Sequence, residues 1–202
     1  MVEKTTNYLK ITALYRTDYT ASLHVRAMAQ LLGTSHVTLL PYLQQLEKGR
    51  ILQHEAVGRN KQYQLNKANI LTKYFLTTTE ELFTIEYLEK HHLIRKLAEH
   101  LNSMDTSNPL ILFGSYADDT ATDESDIDLF IIGTLTKEQL AHVKKFEATY
   151  GKKINVKTAT PENFNAALRT GDILIKEINR NHVILRNADP YVTMMWQYHV
   201  ER

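Results

Sequence analysis

The sequence has no cysteine, only four prolines, seven glycines and one tryptophan in 202 residues. Without cysteine there is no disulfide framework, no thiolate zinc site and no thiol nucleophile. So few Pro and Gly residues exclude collagen-like and linker-like chains. No apolar stretch approaches the roughly 18 residues of a membrane span, and the first residues lack the pattern of a secretory leader. No membrane partner is expected, and the cytoplasm is the expected location. One charge sign is not in excess either: 24 Lys+Arg face 23 Asp+Glu, for a net charge of +1. Taken as a sum, that argues against nucleic acid as a partner. What is present, 43% hydrophobic and 23% charged residues, describes a globular chain able to form one large domain or two small ones.

The neutral sum conceals a polarity. Residues 1–66 carry eight basic and four acidic side chains, residues 67–104 five of each, and residues 105–202 eleven basic and fourteen acidic. A basic front and an acidic back suggest two domains with different partners. The expected fold class is α+β, with one domain over residues 1–70 and a second over 71–202.

The front reads as short helices followed by a hairpin. Tyr8, Ile11, Leu14 and Tyr15 recur at helical spacing, as do Val25, Met28, Ala29 and Leu32 before a stop at Gly33. Ser35 suits an N-cap for a helix to about Lys48, with Leu39, Tyr42, Leu43 and Leu46 on one face and Gly49 as terminator. Ile51–Ala56 and Gln62–Leu65 flank Val57-Gly58-Arg59-Asn60, a polar hairpin tip.

Glu80 to Met104 reads as one helix with a stripe of Ile85, Leu88, Leu93, Leu97 and Leu101. His91 and His92 read as part of its polar face. Beyond it, strands and helices alternate. Strands are expected at 110–113, 126–132, 153–158 and 183–185. Helices are expected at 136–150, 161–169, 172–179 and from about Pro190 onward. Tyr191, Trp196 and Tyr198 read as a docked C-terminal helix, with a subunit interface of a homodimer as the alternative.

The chemical signal is Phe113-Gly114-Ser115, then Ser125-Asp126-Ile127-Asp128-Leu129. Period-2 geometry places Asp126 and Asp128 on one face of a strand and Ile127 and Leu129 on the other. Two ionised carboxylates that close repel unless a cation lies between them, and a hard ion such as Mg²⁺ suits oxygen donors. Gly114-Ser115 follows a strand and is expected to open a helix, where backbone amides and the Ser hydroxyl can meet phosphate.

Gly-Ser, ten residues, then Asp-x-Asp resembles the signature of the nucleotidyltransferase superfamily, and closest the minimal type that includes antitoxin partners of HEPN ribonucleases. The resemblance covers about residues 80–202. It implies Mg²⁺-dependent, two-metal transfer of a nucleoside monophosphate from an NTP, with ATP the expected donor. Gly114 and Ser115 would bind the nucleotide's triphosphate, and Asp126 and Asp128 would be the catalytic metal ligands. Two departures stand out. Asn155, on the next strand, occupies the position of the family's third carboxylate, which weakens the case for the second ion. Asp118-Asp119 stand where minimal members carry Arg-Gly. Glu147 is a candidate substitute carboxylate, and Lys152, Lys153, Lys157 and Lys176 are candidate phosphate contacts by charge.

Val25 to Asn66 resembles a winged helix-turn-helix, which implies DNA as a partner. The second of the paired helices would enter the major groove, with His36, Thr38 and Gln44 toward base edges and Arg59 and Lys61 on phosphates. Pro41 within that helix is expected to kink it, and Leu40 is apolar where base readers are commonly polar, so a dimerisation or partner surface stays open beside DNA. Two functions follow. One is an enzyme transferring nucleotide to a hydroxyl. The other is a DNA-binding regulator or antitoxin whose back domain only binds nucleotide, with a HEPN-like toxin as partner.

Overall fold

The computed structural model describes residues 2–58, 60–104 and 107–201, and side chains from Thr6 onward. The chain forms two compact units, Met1–Leu82 with Met195–Arg202, and Phe83–Met194. Each has its own sheet, and the whole is α+β.

The first unit runs α1 (Val2–Ala13), β1 (Leu23–His24), α2 (Val25–Leu31), α3 (His36–Lys48), β2 (Leu52–Val57), β3 (Asn60–Leu65) and the first part of α4 (Ile70–Lys90). β2 and β3 pair antiparallel from Leu52↔Leu65 to Val57↔Asn60. The short β1, which the periodicity did not single out, joins β3 through Leu23↔Tyr63. A two-residue strand offers no alternation to detect. The expected helix after Ser35 forms, and the Ser35 hydroxyl accepts from the Thr38 amide at 3.1 Å. α3 runs unbroken through Pro41. Proline deletes the amide that would donate to the carbonyl four residues earlier. That residue, Val37, is 63% exposed, so its carbonyl lies on the helix face nearest to water.

The core of this unit is Ile11, Tyr15, Met28, Leu43, Leu46, Leu52, Leu65 and Leu76, all nearly inaccessible. Its polar element is a buried ion pair: both Nε and Nη2 of Arg16 donate to Glu80 Oε2, at 2.9 and 2.7 Å. Beside it the hydroxyls of Thr12 and Thr79 are 2.7 Å apart. A buried pair contributes little against an apolar substitute, but removing one partner strands the other charge.

The second unit continues with the end of α4, α5 (His92–Asn102), β4 (Leu110–Phe113), a 3₁₀ turn (Gly114–Tyr116), β5 (Ile127–Ile132), α6 (Lys137–Tyr150), β6 (Ile154–Ala159), α7 (Pro161–Thr170), α8 (Ile173–Arg180), β7 (Val183–Arg186) and the start of α9 (Ala188–Val200). Its strand order is β6-β5-β4-β7. β5 and β6 are parallel, linked by α6, and the other pairings are antiparallel. α6 is held at both ends by local chemistry: Thr136 and Gln139 form a reciprocal capping box, and Gly151 closes the C-terminus at φ 64°.

The expected single helix over 80–104 is two helices. The backbone leaves helical geometry at His91 (φ −114°, ψ 79°). The His91 ring stacks on Tyr87 at 3.9 Å, and its Nε2 lies 3.1 Å from Asp119 Oδ1. Those contacts stabilise a break that the apolar stripe alone conceals, because Ile94, Leu97 and Leu101 keep their period and pack into the core. Near the C-terminus Tyr191 and Trp196 are buried in the chain, as expected for a docked helix, and the Tyr191 hydroxyl bonds Asn179 Oδ1 at 2.9 Å.

Arg16→Ala should cost about 3–5 kcal/mol of stability, because Glu80 is left charged at zero exposure. Arg16→Met combined with Glu80→Leu should recover most of that loss. Urea unfolding followed by circular dichroism distinguishes the two outcomes.

Candidate functional site

Alternation along β5 decides which side chains meet. Ile127, Leu129 and Ile131 enter the core formed with α5 and α6, together with Leu110, Leu112, Val143 and Phe146. Asp128 and Phe130 take the opposite face, where the Phe130 ring lies 6.1 Å from that of Phe164 on α7. Asp126, just before the strand, falls in phase with Asp128. The expected two-faced strand is thus present.

β4 pairs with β5 so that Phe113 lies opposite Asp128. The next residue, Gly114, therefore turns directly against the Asp128 carboxylate. A Cβ on Gly114 would lie 2.7 Å from Asp128 Oδ2, and its φ of +69° is already in the left-handed region. Only glycine fits both constraints. The Gly-Ser pair and the two aspartates, ten residues apart in sequence, meet through this strand register.

The expected helix after Gly114 does not form. The segment is one 3₁₀ turn, in which the Ala117 and Asp118 amides donate to the Gly114 carbonyl at 2.9 and 3.2 Å. Asp118 Oδ1 accepts from the Thr120 amide, and Asp119 adopts φ 60°. Such local bonds let Asp compete with helix propagation. Tyr87 holds the turn from outside, its hydroxyl donating to the Tyr116 carbonyl at 2.6 Å. Burial, then the nearby Asp119, pushes the Tyr87 phenol well above its ordinary range, so it remains a donor. Tyr87 and His91 are supports that sequence reasoning missed. Their only signal was an aromatic–His pair four residues apart within a pattern that reads as one helix.

β6 completes the cluster. Parallel pairing places Asn155 beside Asp128. The Asn155 amide donates to Asp126 Oδ2 at 3.3 Å and to Asp128 Oδ1 at 3.1 Å. The Lys153 ammonium donates to Asp126 Oδ2 at 2.7 Å. The Lys153 hydrogen bond, aided by Asn155, holds the Asp126 carboxyl below its ordinary range, and Asp126 in turn raises Lys153. Glu147 is not an added ligand here: its Oε1 accepts from the Ile154 amide at 2.6 Å and its Oε2 pairs with Lys144 at 2.7 Å. Burial raises the Glu147 carboxyl, and these two bonds more than offset it, so the net shift is downward.

The two carboxylates converge on one point, marked by the Asn155 nitrogen about 3 Å from both. Asn155 also carries an amide oxygen, a neutral hard donor. Two carboxylates and an amide oxygen suit one hard divalent cation. Asn155 brings no negative charge of its own, and among the described residues no group of three or more His, Cys, Asp or Glu side chains that could hold a metal ion is found. Beside the pair lies a recess of about 490 Å³ lined by Asp128, Asn155, Lys144 and Lys157. The Lys157 ammonium reaches across the sheet to 5.6 Å from the Phe113 ring. Lys152 is engaged by the Asp123 carbonyl, and Lys176 lies against Gly171.

In the first unit, His36, Thr38, Gln44 and Lys61 are all exposed. His36 and Lys61 line one recess of about 380 Å³ with His24, Arg26, Leu40 and Tyr63. Thr38 is partly committed, its hydroxyl 2.8 Å from Ser35 Oγ. Lys61 lies 3.4 Å from Glu47, which also pairs with His54 at 2.8 Å. Arg59 lies outside the described residues.

Comparison with known families gives one match: residues 94–181 fit the model described as nucleotidyltransferase domain. No curated protein and no solved structure matches the chain. The span runs from within α5 to just past the end of α8 and includes both Gly114-Ser115 and Asp126/Asp128. Within the second unit, residues 94–181 are thus similar to the nucleotidyltransferase domain family. Among the described residues no helix is long and apolar enough to cross a membrane.

The depressed Asp126 carboxyl has a sign that can be checked. Its contribution to stability is present above its unfolded value and is lost as pH falls through the lower folded value. Carboxyl-carbon NMR should put the Asp126 midpoint below the ordinary Asp range. Lys153→Ala should move it upward; an unmoved midpoint would contradict the assigned cause.

Proposed function

We propose that the chain transfers a nucleoside monophosphate, AMP from ATP, to an acceptor hydroxyl. The observation that carries this reading is the contact of Gly114 with Asp128. A turn that admits no side chain abuts a carboxylate pair, leaving an open approach for phosphate beside the residues suited to its counter-ion. In the transfer, the acceptor oxygen forms a bond to the α-phosphorus. The bond from that phosphorus to the bridging oxygen breaks, pyrophosphate leaves with the electron pair, and the hydroxyl proton passes to water. Asp126 and Asp128 would hold Mg²⁺, with the Asn155 amide oxygen as a neutral donor. When bound, Mg²⁺ would neutralise phosphate charge and favour ionisation of the acceptor hydroxyl.

The remaining work falls to side chains of this chain. Gly114 and Ser115 would receive the triphosphate, Tyr87 and His91 would fix that turn, and Lys157 would meet anionic oxygens at the recess. Positioning and charge compensation supply most of the rate in phosphoryl chemistry.

For the first unit we propose a winged helix-turn-helix that binds DNA. Its element order and the basic recess with His36 and Lys61 support this reading. The helix α3 would carry Thr38 and Gln44 toward base edges, and the β2–β3 hairpin would lie along phosphates.

Incubation with ATP radiolabelled at the α-phosphate, Mg²⁺ and a cell extract as source of acceptors should transfer label, whereas γ-labelled ATP should not. Asp128→Asn should abolish transfer, and Gly114→Ala should reduce it about 100-fold by displacing the carboxylate. Equal labelling from both positions would sink the assignment. For the first unit, affinity for duplex DNA should fall steeply with salt. Lys61→Ala should lower the slope of log affinity against log salt by about 1, and salt-insensitive binding would count against DNA.

A further inference from the structure

Lys153 occupies a singular place among the lysines at the β6 edge. Lys144 is committed to Glu147, Lys152 to the Asp123 carbonyl, and Lys157 lies over Phe113. Lys153 alone among these four donates to the acid pair, 2.7 Å from Asp126 Oδ2. The Asn155 amide bonds that same oxygen and reaches Asp128 Oδ1 as well. One ammonium and one neutral amide thus supply the donors and part of the charge that a divalent cation would bring to two carboxylates. Lys153 is nevertheless loosely held. Its side chain is 67% exposed and that of Asp126 37% exposed, a setting where solvent screens an ion pair and holds it weakly. Two constraints follow from chemistry. An ammonium has no acceptor to offer a metal, and a metal at Asp126 would face its charge at short range. Both cannot use Asp126 Oδ2 at once.

We propose that Lys153 is a built-in counter-ion of the acid pair: it competes with a divalent cation for Asp126 and must swing into solvent before the ion is held. This rests on reading the acid pair as the nucleotide-transfer site. The chain then keeps its acid pair compensated without metal and binds the free ion weakly. Asn155 adds to the effect. As an amide it donates to both carboxylates, and it must turn its oxygen inward to help a cation instead.

The test is Mn²⁺ binding to the full chain without nucleotide, read from the electron paramagnetic resonance of the free ion, for wild type and four variants. Lys153→Met should tighten binding about three- to tenfold. Lys152→Met removes the same charge from a neighbouring position and should change affinity less than about twofold. Asn155→Asp should tighten binding about tenfold or more, and Asp128→Asn should abolish it. Equal gains from Lys152→Met and Lys153→Met would mean that Lys153 acts through general charge, and would overturn the competition while leaving the transfer reading intact. Equal affinity in wild type and Lys153→Met would do the same. Absence of Mn²⁺ binding in all five proteins would overturn the inference and the metal-assisted part of the transfer reading together. Calorimetric titration of ATP in the absence of metal, on the same proteins, then shows whether nucleotide binding survives on its own.

Discussion

The second unit depends on a missing atom. β4 and β5 pair in a register that brings Gly114 against the Asp128 carboxylate, where a Cβ would stand 2.7 Å from the oxygen. That register is not free to slide. A shift of one residue would turn Asp128 toward the core beside Leu97, Leu101 and Phe146, and would move Leu129 into the half-buried place of Asp128. Burying an uncompensated carboxylate there would cost several kcal/mol. The apolar alternation that builds the core is therefore the same pattern that fixes the acidic pair, and the glycine lets the turn close over it. Parallel pairing with β6 then adds Asn155 at a determined position.

Much of this was legible in the sequence because it follows from short periods. Alternation in 126–132 gave the strand and its two faces. Helices expected at 136–150, 161–169 and 172–179 are present, and the structure shows Thr136, Thr160 and Asp172 capping their starts and Gly151 closing the first of them. The convergence of Gly114-Ser115 with the aspartates was legible from spacing and resemblance. What was not legible depends on contacts between distant segments. The break at His91 comes from stacking on Tyr87 and a bond to Asp119, 28 residues downstream. The replacement of an expected helix by one 3₁₀ turn follows from Asp118, Asp119 and Tyr87 together. The bonding of Lys153 and Asn155 to the acid pair requires knowing that β6 lies next to β5 and runs parallel to it.

In the first unit the constraint is of a different kind. Arg16 and Glu80, 64 positions apart, are joined inside an otherwise apolar core. Such a pair adds little net stability but excludes packings in which either charge is left alone. Around it, the Tyr15 hydroxyl donates to the Tyr63 carbonyl at 2.9 Å and links the start of the chain to β3. Burial raises the Tyr15 phenol, so that donor persists through the physiological range. The surface left over is basic near His36 and Lys61, and its apolar members, Val37 and Leu40, are 63% and 40% exposed.

β6 is also the outermost strand of its sheet. An outer strand presents unpaired amides and carbonyls that can recruit a strand from another molecule, and lysines are a common defence against that. Here Lys152 and Lys153 precede the strand and Lys157 lies within it. The cluster that sets the charge beside the aspartates thus also keeps an open sheet edge solvated. Replacing these lysines to adjust the site removes a barrier to edge-to-edge association, so chemistry and solubility are tied to the same few side chains.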